Sequence, residues 1–115
     1  MDLISAYDGR CAITQCPIRP ILEAAHVTPY LGPQTNAISN GLLLRADIHT
    51  LWDLRLIAID PNLMTVCISP TLQDPSYQVL AGKSAYQPAV PASRVSPLAL
   101  ERQWELFQTR LSKDI

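Results

Sequence analysis

The chain has two histidines, and an asparagine lies between them. His26 sits in LEAAHVTPY. Asn40 opens NGLLLRADIHTLWD, His49 follows it by nine residues, and Asp53 follows His49 by four. Imidazole is the side chain best suited to exchange a proton with water near neutral pH. A carboxamide can hold a neighbouring group by donating and accepting at once. A histidine and an aspartate four apart on a helix share a face and can reach one cation. The order fits a one-metal site for phosphodiester cleavage: His26 to activate water, Asn40 to orient, and His49 with Asp53 to hold a divalent ion.

Each residue taken alone has an ordinary reading. His26 could be a satisfied core or turn histidine, Asn40–Gly41 a common turn pair, and His49–Asp53 a surface hydrogen-bonded pair. The joint order and spacing carry the argument. Asp47 is a third candidate metal ligand, or a helix cap. Arg45 and Arg55 are candidate phosphate contacts, or solvated surface residues. Trp52, Trp104 and Phe107 read as core. Tyr30, in the loop after His26, reads as an ordinary loop residue, with a DNA groove as its alternative. Cys11 and Cys16 are spaced C-x4-C and Cys67 stands apart. One such pair falls short of the four ligands of a structural zinc site, so the cysteines read as reduced thiols, with a zinc clip or a disulfide as alternatives.

These residues need elements to position them. Residues 2–8 suggest a short helix capped by Asp2 and stopped at Gly9. Residues 10–20 are turn-rich. Residues 21–27, flanked by Pro20 and Pro29, read as extended chain, followed by a loop over 28–40. GLLL at 41–44 reads as a buried strand. Residues 46–53 read as a helix whose Ile48, Leu51 and Trp52 face the core. Residues 55–60 and 64–69 suggest a β-hairpin. Residues 70–96 hold four of the ten prolines and read as irregular chain with a strand near 77–80. Residues 97–112 form the clearest helix, with Ser96 as cap and Pro97 at its first position. Its expected buried stripe is Leu98, Leu100, Trp104, Phe107 and Leu111.

A chain of 115 residues fits one domain, 1–115. At 48% hydrophobic and 17% charged residues it reads as globular rather than disordered. No apolar run reaches the roughly 20 residues that cross a bilayer. The start MDLISAYDGR carries an early Asp and no basic n-region and does not resemble a secretion signal, so a cytoplasmic protein without a membrane partner is expected. A net charge of −1 argues mildly against a free-standing nucleic-acid binder. It leaves a nuclease open, because a bound divalent ion supplies positive charge where phosphate sits.

The segment from Arg10 to Asp60 resembles the HNH endonucleases of the ββα-metal superfamily. It is most similar to the bacterial subgroup whose motif runs AAHI…N…NGLLL…DIHTLFD. Here the motif reads AAHV, then NAISNGLLLRADIHTLWD. Downstream, VCISP, YQVLAGK and the final amphipathic helix are similar to the subgroup's tail. The resemblance implies an α+β fold with a β-hairpin and helix gripping one divalent ion, and a C-terminal helix packed behind. It implies a metal-dependent endonuclease acting on DNA, with His26 as general base, Asn40 as the orienting residue, and His49, Asp53 and, as a further option, Asp47 at the metal. Arg45 and Arg55 would meet the substrate. Mg2+ is the expected ion, with Mn2+, Ni2+ or Zn2+ as alternatives. Specificity would come from homodimerisation, from a separate partner, or be absent.

One departure stands out. Many members carry Asp, Glu or His just before the catalytic histidine as a metal ligand; this chain has Ala25. Alanine is usual there in the subgroup. Glu23, on the same strand face, is the weaker substitute because it lies farther from the strand end. The departure and the acidic pI keep open a catalytically silent HNH-like domain that binds nucleic acid or protein. A second rival is a small structural zinc protein using Cys11, Cys16 and the histidines.

Overall fold

The structure, a computed structural model, describes residues 2–28 and 37–114. Most of the loop expected over 28–40, Tyr30 included, lies outside the described residues. The fold is α+β, with two small antiparallel sheets, short helices and a long C-terminal helix. No described helix is long and apolar enough to cross a membrane.

The chain opens with helix α1, Leu3–Ala6, capped by the Asp2 carboxylate, which accepts from the Ile4 N–H at 3.0 Å. Gly9 follows with φ +66, a left-handed value suited to a residue without Cβ. Strand β1 is Leu22–His26 and strand β2 is Gly41–Arg45. They pair antiparallel, with Glu23 opposite Leu44, Ala25 opposite Leu42 and His26 opposite Gly41. Gly41 has ordinary extended dihedrals, so its need for glycine is steric. A Cβ there would lie 2.8 Å from Leu3 Cδ1, and the bare backbone lets α1 close over the end of the hairpin.

Leu42, Leu43 and Leu44 are all buried. One face of β2 meets the helix that follows. The segment through Ala12 runs alongside the strand, its N–H donating to Leu43 O at 2.8 Å. That segment pairs with the edge of β2, and both α1 and the following helix pack on the strand, which explains an unbroken apolar run where a half-exposed strand would alternate. Helix α2, Ala46–Asp53, follows with no linker. Ile48 and Trp52 are fully buried and Leu51 partly so, as its period predicts.

Strands β3, Ile57–Ile59, and β4, Val66–Ile68, form the expected second hairpin. The expected strand near 77–80 is instead helix α3, Pro75–Gln78. The local chemistry explains the difference. Asp74 accepts from the Ser76 N–H at 2.8 Å, and Pro75 takes the first helical position. A single bridge, Thr65 to Ser84, runs beside β4 instead.

Helix α4, Pro97–Asp114, begins with the Leu100 N–H donating to Ser96 O at 3.1 Å. Its buried residues are Ala99, Leu100, Gln103 and Phe107. Leu98, expected on that stripe, is 77% exposed. Gln103 takes a core position because its amide donates to Ile57 O at 3.1 Å, tying α4 to β3. The Ser96 N–H donates to Ser39 O at 2.7 Å and so places the start of α4 beside the turn that carries Asn40.

Candidate active site

The candidate residues fall into two groups on the β1–β2–α2 unit. The first gathers at the open end of the hairpin. His26 is the last residue of β1 and is exposed. Asn40 closes the short 3-10 turn Ile38–Asn40 just before β2 and is buried. Its Oδ1 accepts from the Thr28 N–H at 3.0 Å and from the Thr28 hydroxyl at 2.9 Å. Its main-chain carbonyl accepts from the Val27 N–H at 2.9 Å. The asparagine therefore holds both residues that follow His26 and fixes the strand end from which the imidazole projects. A carboxylate in its place could accept these bonds but could not donate back to Thr28 O, which the Asn40 Nδ2 faces at 3.4 Å.

The second group lies along α2. His49 Nδ1 is 2.7 Å from Glu23 Oε1, and His49 Nε2 is 3.4 Å from Asp53 Oδ2. Strand alternation explains the first contact. Glu23 and Ala25 share a face of β1, and the helix that follows β2 crosses that face. Ala25 is packed into the core and offers no ligand. Glu23 meets the helix histidine instead. Its parity with Ala25 on β1 turns it toward α2.

Among the described residues, no three of His, Cys, Asp or Glu cluster so as to hold a metal ion. The imidazole stands between the two carboxylates, and its nitrogens diverge, so Glu23 and Asp53 cannot meet on one ion through it. The usable donor pair is His49 Nε2 with Asp53. Two ligands in neighbouring positions at about 2.1 Å from a cation lie about 3 Å apart. The 3.4 Å separation is close to this, and Asp53 is exposed enough to move. One imidazole and one carboxylate suit a divalent ion that completes its shell with water and phosphate oxygens.

Asp47 stands elsewhere. Arg45 grips it with two bonds, Nε to Oδ1 at 2.6 Å and Nη2 to Oδ2 at 2.9 Å, and the Tyr77 hydroxyl donates to Oδ2 at 2.7 Å. The Arg45 hydrogen bonds hold the Asp47 carboxyl down at about 2, with help from Tyr77 and against partial burial. The Asp47 bond in turn pushes Tyr77 up. This trio ties α3 to the start of α2. Nothing short of the fold itself marks Tyr77 as the third member, 30 residues away. Asp47 is not the cap of α2, whose preceding residue is Arg45.

Arg55 closes the other end of α2. The Leu56 N–H donates to Leu51 O and the Arg55 N–H to Trp52 O, both at 3.0 Å. This is the Schellman pattern, and Arg55 holds its left-handed position at φ +63, where glycine is usual. All three cysteines are free thiols. Cys11 is buried, and its sulfur accepts from the Arg45 N–H at 3.3 Å.

Residues 11–60 match the family model described as HNH endonuclease. Among solved structures, a modification-dependent restriction endonuclease, TagI, shares the fold with a TM-score of 0.59 at 17% identity. The match covers 90% of this chain but 35% of that protein, so the chain spans about a third of its length. No curated protein sequence matches the chain.

Proposed function

We propose that the chain, acting as one domain over 1–115, is a divalent-metal-dependent nuclease that hydrolyses DNA phosphodiester bonds, a reading supported by the match of residues 11–60 to the HNH endonuclease model. The observation that carries the reading is the pairing of His49 and Asp53 on α2 beside the strand that ends at His26. His26 serves as general base and takes the proton from the attacking water. Asn40 acts through Thr28 and Val27, keeping the strand end in place so that the imidazole meets the water in one orientation. His49 and Asp53 hold the cation. Bound there, the ion supplies charge that stabilises the scissile phosphate and the leaving oxygen. Arg55 and Arg45 offer positive charge near the same helix, Arg45 with its guanidinium already shared with Asp47.

The buried Ala25 favours a second reading, a silent domain that binds nucleic acid without cutting it. One experiment separates them. The purified chain is incubated with supercoiled plasmid in Mg2+, in Mn2+ and in EDTA. Metal-dependent nicking supports the nuclease. Retention of the DNA on a gel without any cleavage supports the silent domain.

A further inference from the structure

Glu23 has no place in the ligand set just described, yet it makes the shorter of the two contacts to His49. A separation of 2.7 Å lies in the range of a charge-assisted N–H to carboxylate bond. An ionised carboxylate only accepts, so the contact requires the proton on Nδ1. A neutral imidazole with its proton on Nδ1 carries its lone pair on Nε2, and Nε2 is the atom that faces Asp53.

The two carboxylates are also anchored differently. Glu23 lies within β1, paired with Leu44 in the hairpin ladder. Asp53 is the last residue of α2 and the more exposed of the two. The strand supplies the fixed partner and the helix end supplies the movable one.

We propose that Glu23 is a positioning residue that selects the Nδ1–H tautomer of His49 and aims Nε2 at a divalent cation shared with Asp53. The proposal rests on the metal-site reading above. It also gives the alanine before His26 a consequence. With no ligand from that position, the ion depends on two side chains, and the orientation of one of them weighs more. Loss of such an outer carboxylate typically lowers metal affinity 10- to 100-fold.

The test uses Mn2+ as the probe and the metal-free chain as the reference. Nitrogen NMR of the imidazole rings at pH 8 reports the tautomer of His49, with His26→Ala separating the two histidine signals. Paramagnetic broadening reports Mn2+ affinity. In the unaltered chain the proton should sit on Nδ1. Glu23→Ala should move the population toward Nε2–H and weaken Mn2+ binding about 10- to 100-fold, with unchanged circular dichroism. Glu23→Gln, whose amide oxygen can still accept, should recover part of both. A wild-type ring protonated on Nε2, or equal Mn2+ affinity in Glu23→Ala, overturns the proposal. His49→Ala is the control. If it loses Mn2+ while Glu23→Ala does not, the role of Glu23 alone fails. If it binds Mn2+ as the wild type does, the metal site itself fails.

Discussion

Asn40 and Thr28, twelve residues apart, are joined by two hydrogen bonds into one oxygen: the Thr28 N–H and hydroxyl both donate to Asn40 Oδ1, at 3.0 and 2.9 Å. The connection between β1 and β2 is thereby closed at its base, whatever path the chain takes beyond it. Asn40→Ala should leave the Thr28 N–H without this acceptor, at a cost of about 1–3 kcal/mol. Thermal unfolding measures that loss. The same substitution should reduce cleavage by more than the loss of folded protein explains, because the strand end that carries His26 is no longer held.

The Asp47 carboxyl offers a pH test. Its folded value is lowered from 3.8 to about 2, first by the Arg45 hydrogen bonds. A lowered carboxyl stabilises the fold fully above about pH 4, and the contribution is lost as pH falls toward 2. Because the pair is more than a third exposed on the Asp47 side, solvent screening limits it to about 1 kcal/mol or less. Urea midpoints at pH 7 and pH 3 should differ less in Asp47→Asn than in the wild type. An equal pH dependence in both would show that the ion pair does not stabilise the fold.

Arg55 sets stability against substrate binding. At φ +63 a residue with a Cβ is disfavoured relative to glycine by about 1 kcal/mol. Arg55→Gly should therefore raise the melting temperature by a few degrees. If its guanidinium meets a phosphate, the same change should weaken DNA binding and reduce the salt slope by about one. Filter binding across a salt series measures both. A stabilised variant with unchanged salt slope would remove Arg55 from the substrate surface.

Local pattern made several elements legible. The period of Ile48, Leu51 and Trp52 marks α2, and the paired apolar runs mark the β3–β4 hairpin. The elements misread from the sequence lost to competing local chemistry or to packing from elsewhere. YQVL alternates well enough for a strand, but Asp74 and Pro75 start a helix there. On α4, hydrophobicity favoured Leu98, whereas the core admits Gln103 because its amide has Ile57 O to bond. The site shows the same division. His26, Asn40 and His49 stand out by type and spacing. Strand alternation already sets Glu23 on the face of Ala25, but its contact with His49, like that of Tyr77 with Asp47, comes from how α2 and α3 dock, which no linear spacing encodes.

The most direct test compares His26→Ala with the wild type for nicking of supercoiled plasmid in Mn2+. His26 ends β1 and is exposed, and melting temperature and Mn2+ binding measured on both proteins separate loss of the base from loss of fold or metal. A general base of this kind contributes about 100- to 10,000-fold, so the variant should be slower by that order. Cleavage at the wild-type rate by a well-folded His26→Ala chain would contradict the assignment of the base.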